Sequence, residues 1–100
     1  PGILHKAGVK VSIITDAPVI PQQYLPMCAG QAVQAGLPME EGWKAITCNP
    51  AASIGIADRV GSLEPGKDGD VVIWNADPLV HVGAHAYMTI ISGQIVYREP

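Results

Sequence analysis

No run of this chain reaches the roughly 18 apolar residues that a membrane-spanning helix needs. Its N-terminus also lacks a basic stretch leading into a hydrophobic one, so neither bilayer insertion nor secretion is expected. Basic residues are scarce: six Lys and Arg against nine Asp and Glu leave a net charge of −3. Six scattered cations argue against nucleic acid and anionic membranes as partners. Cysteine is limited to Cys28 and Cys48, with none of the Cys-x-x-Cys spacing of zinc or redox sites. Two free, buried thiols in a reducing compartment, the cytoplasm, are the expectation. Phe is absent, and nothing follows from that.

What is abundant is apolar surface. Hydrophobic residues make up 48% and charged residues only 15%, with a mean hydropathy of +0.23, which is lean in charge for a free-standing small domain. A compact chain of 100 residues buries somewhat over ~60% of its extended surface, enough for one domain or part of one. Some of the apolar surface is therefore expected to meet a partner or further polypeptide.

The organising stretch is Val9 to Val19, VKVSIITDAPV. Its β-branched run Val11 to Ile14 is bounded by Pro18 and reads as a strand buried on both faces, as in a parallel sheet covered by helices. Such a strand delivers Asp16 to the mouth of the sheet, where ligands bind in barrels and doubly wound folds. Asp16 is thus the candidate catalytic residue. The same Thr15-Asp16-Ala17-Pro18 string is also good turn chemistry, in which the carboxylate would simply accept backbone N–H groups.

Around this stretch the chain divides by texture. Pro1 to Gly8 reads as the tail of a helix with Ile3, Leu4 and Ala7 on one face, and Val19 to Gln22 reads as a loop. Pro26 suits a first helical turn, and Leu25, Cys28, Ala29, Ala32 and Val33 form an apolar stripe ending at Gly36. Pro38 opens a second helix with Glu40 and Glu41 favourably placed against its dipole and Trp43 and Ile46 facing inward. Asn49-Pro50 reads as an N-cap and first helical position of a third helix running to Gly55. Beyond Ile56 the pattern becomes Gly- and Pro-punctuated, with a strand at Val71 to Trp74. A β-hairpin follows, Met88 to Ile91 and Gln94 to Tyr97, about a Ser92-Gly93 turn. Residues 1–55 and 56–100 are accordingly expected to be two structural units.

Two arrangements could carry chemistry. Gly61-Ser-Leu-Glu-Pro-Gly66-Lys67-Asp68 has the frame of a phosphate-binding loop. It carries Asp68 where a hydroxyl should meet magnesium, and a strand follows where a helix should. A turn leading into a strand is the expectation. His81 and His85 have the four-residue spacing of a helical metal pair, but Gly83 and Pro78 forbid the helix, and His5 stands alone. None of the three is expected to be a metal ligand.

The segment from Asn49 to Trp74, NPAASIGIADRVGSLEPGKDGDVVIW, resembles the C-terminal signature of the metal-dependent amidohydrolases, and imidazolonepropionase-like members most of all. Its core is N-P-A, a Gly, the turn G-S-[LIV]-E-x-G-K-x-[AG]-D and an apolar strand ending in Trp. The resemblance extends to Val11–Pro18, like a last barrel strand ending in T-D, and to the closing hairpin at Met88–Tyr97. It implies the C-terminal fragment of a (β/α)8 barrel, its last strand and following helices, joined to strands of a small composite β-sandwich. It also implies that Asp16 ligates or adjoins a divalent metal, zinc, and takes a proton from the attacking water. The remaining ligands, a His-x-His pair, often a carboxylated lysine, and further histidines, lie on strands absent from these residues. The isolated chain is therefore expected to be inactive and to hold no metal tightly. Ala17 departs from the family pattern, in which a polar residue or His often follows the Asp. The implied partner is a small-molecule substrate, with homo-oligomers possible through exposed barrel edges. The alternative is a non-catalytic, self-associating structural fragment.

Overall fold

The computed structural model describes residues Pro1–Pro100. Four short helices come first, α1 (Gly2–Lys6), α2 (Leu25–Gln34), α3 (Met39–Ala45) and α4 (Cys48–Ser53). A three-stranded antiparallel sheet follows, β1 (Val71–Trp74), β2 (Ala86–Ile91) and β3 (Gln94–Arg98), in the order β1-β2-β3.

Helix α2 begins as its sequence dictates, with proline in the first turn, where a missing N–H costs no hydrogen bond. Of its stripe, Ala29 and Ala32 are buried, and Leu25, Cys28 and Val33 are half-buried. In α3, Pro38 occupies the N-cap, and Lys44 in the last turn lies 3.2 Å from Glu40 and 3.0 Å from Glu41. These carboxylates raise the Lys44 pKa above its ordinary value. Trp43 and Ile46 are half-buried. Cys28 and Cys48 are both free and half-buried, short of the full burial expected of them.

The buried apolar core is small: Ala29, Ala32, Leu37, Ala45, Ala51 and Leu79. Its small side chains let backbones approach. A Cβ on Gly30 would meet the Leu79 carbonyl, and one on Gly42 would lie 2.5 Å from Val33 Cγ2. Leu79 is presented by the loop after β1, where Asp77 Oδ1 accepts the Leu79 N–H at 2.9 Å. One residue from the C-terminal half thus plugs the helical layer.

The hairpin forms as its turn chemistry requires. Ser92 and Gly93 have φ of 51° and 78°, the left-handed pair of a two-residue turn whose twist suits the strands. The turn also docks on the signature loop: Ser92 N–H donates to Asp70 Oδ1 at 2.8 Å, and Gly93 N–H to Gly69 O at 2.9 Å. Every residue of β3 is exposed.

Two expectations are corrected. Val11 to Ile14 is extended but belongs to no strand, and it is not buried on both faces, for Ile14 is 73% exposed. A strand is defined by a hydrogen-bonded neighbour, and no strand of these residues lies beside it. Helix α4 starts two residues earlier than its Asn-Pro pair suggests, with Thr47 rather than Asn49 at the N-cap. Pro50 still falls in the first turn, where no N–H is needed.

The accessible surface is 6753 Å², against ~5,400 Å² for a self-contained monomer of this mass. The radius of gyration, 14.0 Å, likewise exceeds the ~13 Å of a typical domain of this length. Large apolar side chains are among the exposed residues, including Ile3, Ile14, Val19, Leu63 and Val82.

Candidate functional site

Asp16 stands at the exposed end of the extended segment, directly after buried Thr15. Its φ is 52°, in the left-handed region that Asp and Asn enter more readily than other non-glycine residues. The turn it begins is closed by main chain alone: Val19 N–H donates to Asp16 O at 2.9 Å and Ile20 N–H to Thr15 O at 3.3 Å. The carboxylate takes no part, and the simple turn-capping role weighed for this side chain is not what the structure displays. An exposed carboxylate without an internal partner can accept a proton or act as one oxygen ligand to a cation.

The segment leading to Asp16 is held along one edge. Ile13 N–H donates to Ala45 O, at the end of α3, at 2.9 Å. Asn49 Nδ2, in the first turn of α4, donates to Val11 O at 2.8 Å. Residues 11 and 13 point the same way, so the two bonds imitate alternate rungs of a sheet ladder. Asn49 is therefore no cap. Its side chain is spent on a residue far away in sequence, which no local pattern could signal.

The histidines are dispersed. His5 Nδ1 lies 3.8 Å from Glu41 Oε2. His81 is exposed on the loop after β1. His85 Nε2 lies 2.9 Å from Glu99 Oε1, while Asn75 Oδ1 accepts the His85 N–H at 2.8 Å. Glu99, with the Gly83 carbonyl, raises the His85 pKa above its ordinary value. No three His, Cys, Asp or Glu side chains gather anywhere in the chain in a way that could hold a metal ion.

The phosphate-loop look-alike is likewise structural. Lys67 Nζ donates to Ser62 Oγ at 2.7 Å, Ser62 Oγ donates to Glu64 Oε1 at 3.1 Å, and Arg59 pairs with Asp68 at 3.0 Å. Its lysine is thereby committed inside the turn, and β1 rather than a helix follows. Two open grooves flank the seam between helices and sheet. One of about 910 Å³ runs between Trp43, Ile46, Pro50, Leu63 and Trp74, and one of about 790 Å³ lies between Tyr24, Leu79, His81 and His85. Neither reaches Asp16.

This arrangement of helices, extended segment and small sheet is that of a segment of solved hydrolases. An amidohydrolase from Thermotoga maritima MSB8 matches it with a TM-score of 0.90 at 38% identity, over 96% of this chain and 25% of that one. Guanine deaminase from E. coli shares the fold at a TM-score of 0.74 and 21% identity, over 98% of this chain and 29% of that one. Among sequence relatives, amidohydrolase tasK of Hapsidospora irregularis is 31% identical over 98% of this chain and 10% of its own length. The imidazolonepropionase of Geobacillus kaustophilus is 37% identical over 96% of this chain and 24% of its own. The family model described as "Amidohydrolase family" matches residues 3–97. The chain belongs to the amidohydrolase family. It spans a quarter or less of the length of the sequence relatives named here. No helix is long and apolar enough to cross a membrane.

Proposed function

We propose that these residues are the C-terminal part of a metal-dependent amidohydrolase that hydrolyses a C–N bond of an amide or cyclic amide in a small molecule. The observation that carries this reading is the unpartnered Asp16 carboxylate at the end of an extended segment, within a chain matched by the family almost end to end. The extended segment is the last strand of a (β/α)8 barrel. In its support, the backbone N–H and C=O groups of Ser12 and Ile14 have no partner here, as in a strand whose neighbours lie elsewhere in the polypeptide. Residues 1–55 then form the barrel end and 56–100 the strands of a small sandwich.

The donor chemistry of Asp16 fits a divalent cation, since both carboxylate oxygens are free, but it supplies one ligand of the three or four such a site needs. Zinc bound there would contribute Lewis acidity toward water and the substrate oxygen. Asp16 holds the proton lost by the attacking water at its carboxylate and returns it to the leaving nitrogen. The full-length protein should hydrolyse cyclic amides, lose that activity to a chelator and regain it with zinc. Chelator-resistant turnover, or turnover by residues 1–100 alone, would overturn the reading.

The excess exposed apolar surface favours a second reading for the chain in isolation, in which it is a self-associating structural unit. Light scattering on purified residues 1–100 should then give a mass that rises with concentration. A constant monomer mass removes this reading and leaves the first untouched.

A further inference from the structure

The geometry points to Asn49 as a positioning residue for Asp16, a role that rests on the hydrolase reading above. Among residues 9–20, the only hydrogen bond from a side chain outside the segment is the one from Asn49 to Val11 O. Asn49 is 9% exposed. A side-chain amide so placed is costly unless its polar atoms are satisfied, and asparagine is a poor residue for the body of a helix. Thr47, and not Asn49, occupies the N-cap, so capping does not account for it. Its two polar ends are both engaged: Cys48 Sγ lies 3.8 Å from Oδ1, and Nδ2 donates to Val11 O. Val11 offers only a carbonyl oxygen there, which settles which end of the amide faces it.

The consequence for Asp16 follows from how the segment is anchored. The groups of Ser12 and Ile14 are left for a neighbouring strand, and the opposite edge, of residues 11 and 13, takes its direction from two bonds, Ile13 N–H to Ala45 O and Asn49 Nδ2 to Val11 O. One bond fixes a point, and two on the same edge fix a line. Thr15 is buried and closes the turn through Ile20, so the line is passed rigidly to Asp16. Removing the Asn49 donor leaves that edge held at Ile13 alone, and the loosened edge shifts the carboxylate off its proton-transfer path.

The test uses the full-length enzyme with Asn49→Leu, which keeps volume and removes the donor. Well below the melting temperature, kcat should fall about 10- to 100-fold, the scale of a small misplacement of a reacting group, while KM stays within about threefold. The Ile13 amide should exchange with solvent at least about 10-fold faster, as its anchored edge loosens. In an Asp16→Asn background, Asn49→Leu should produce no further loss, because the residue acts through that carboxylate. Wild-type kcat in N49L, or a loss that multiplies fully with that of D16N, overturns the positioning role. Wild-type turnover in D16N alone instead overturns the hydrolase mechanism beneath it. If N49L does not accumulate as folded protein, Asn49→Ser, too short to span to Val11 O, is judged by the same outcomes.

Discussion

Asp16→Asn in the full-length enzyme should lower kcat by about 10²- to 10⁴-fold, the usual contribution of a positioned general base. The substitution is chosen for its backbone as much as its chemistry. Residue 16 sits at φ 52°, where asparagine is as much at home as aspartate, whereas most other residues would add strain. The carboxylate makes no internal hydrogen bond, so nothing in the fold loses a partner when it becomes an amide. The melting temperature should therefore stay where it is while turnover collapses. That separation makes the result decisive: an enzyme folded as before and still turning over at the wild-type rate would remove Asp16 from the mechanism. An equal loss of stability and activity would mean that the side chain acts in the fold and not in proton transfer.

Gly30→Ala carries the largest expected effect on stability, and its sign is the point of interest. Gly30 lies inside α2, where replacing glycine by alanine ordinarily stabilises by roughly 0.5–1 kcal/mol. Here the added Cβ would press into the Leu79 carbonyl, with the carbonyl carbon 3.0 Å away. Both sides of that contact are backbone, so neither can rotate away. Overpacking of this kind costs about 1–3 kcal/mol and outweighs the propensity gain. A clearly lowered denaturation midpoint is expected by urea titration. Gln31→Ala, at an exposed position one residue along the same helix, should be nearly neutral. A G30A protein as stable as the parent would show that Leu79 is not seated on α2 and that the sheet is not joined to the helices through it.

The features legible in advance share one property: their causes lie within a few residues. The Ser92-Gly93 turn, the proline in the first turn of α2 and the acidic first turn of α3 each follow from local dihedral preferences or the local dipole. The resemblance carried by Asn49–Trp74 works for the same reason, since a contiguous string can be compared without a fold. Asp70 shows the limit. Its place in the string is plain, but its task of receiving the Ser92 N–H depends on a loop closure that no window of sequence contains.

Where the reading failed, a distant partner had decided the outcome. Val11–Ile14 has the composition of a doubly buried strand, yet strand identity is conferred by neighbours, and within residues 1–100 the only partners along it are a helix end and one amide. Asn49 has the local appearance of a cap, yet burial against Val11 claimed its side chain.

By itself, then, the chain's sequence determined its family, its local elements and the identity of the one carboxylate at the turn after Thr15. Only the tertiary structure decided that this carboxylate is left unpartnered, which edge of its segment is held, and that Leu79 locks the two halves together. The physical reason is range. Dihedral and dipole preferences act over a turn or two, whereas a side chain's hydrogen-bond partner is chosen by whichever group the folded backbone brings within reach.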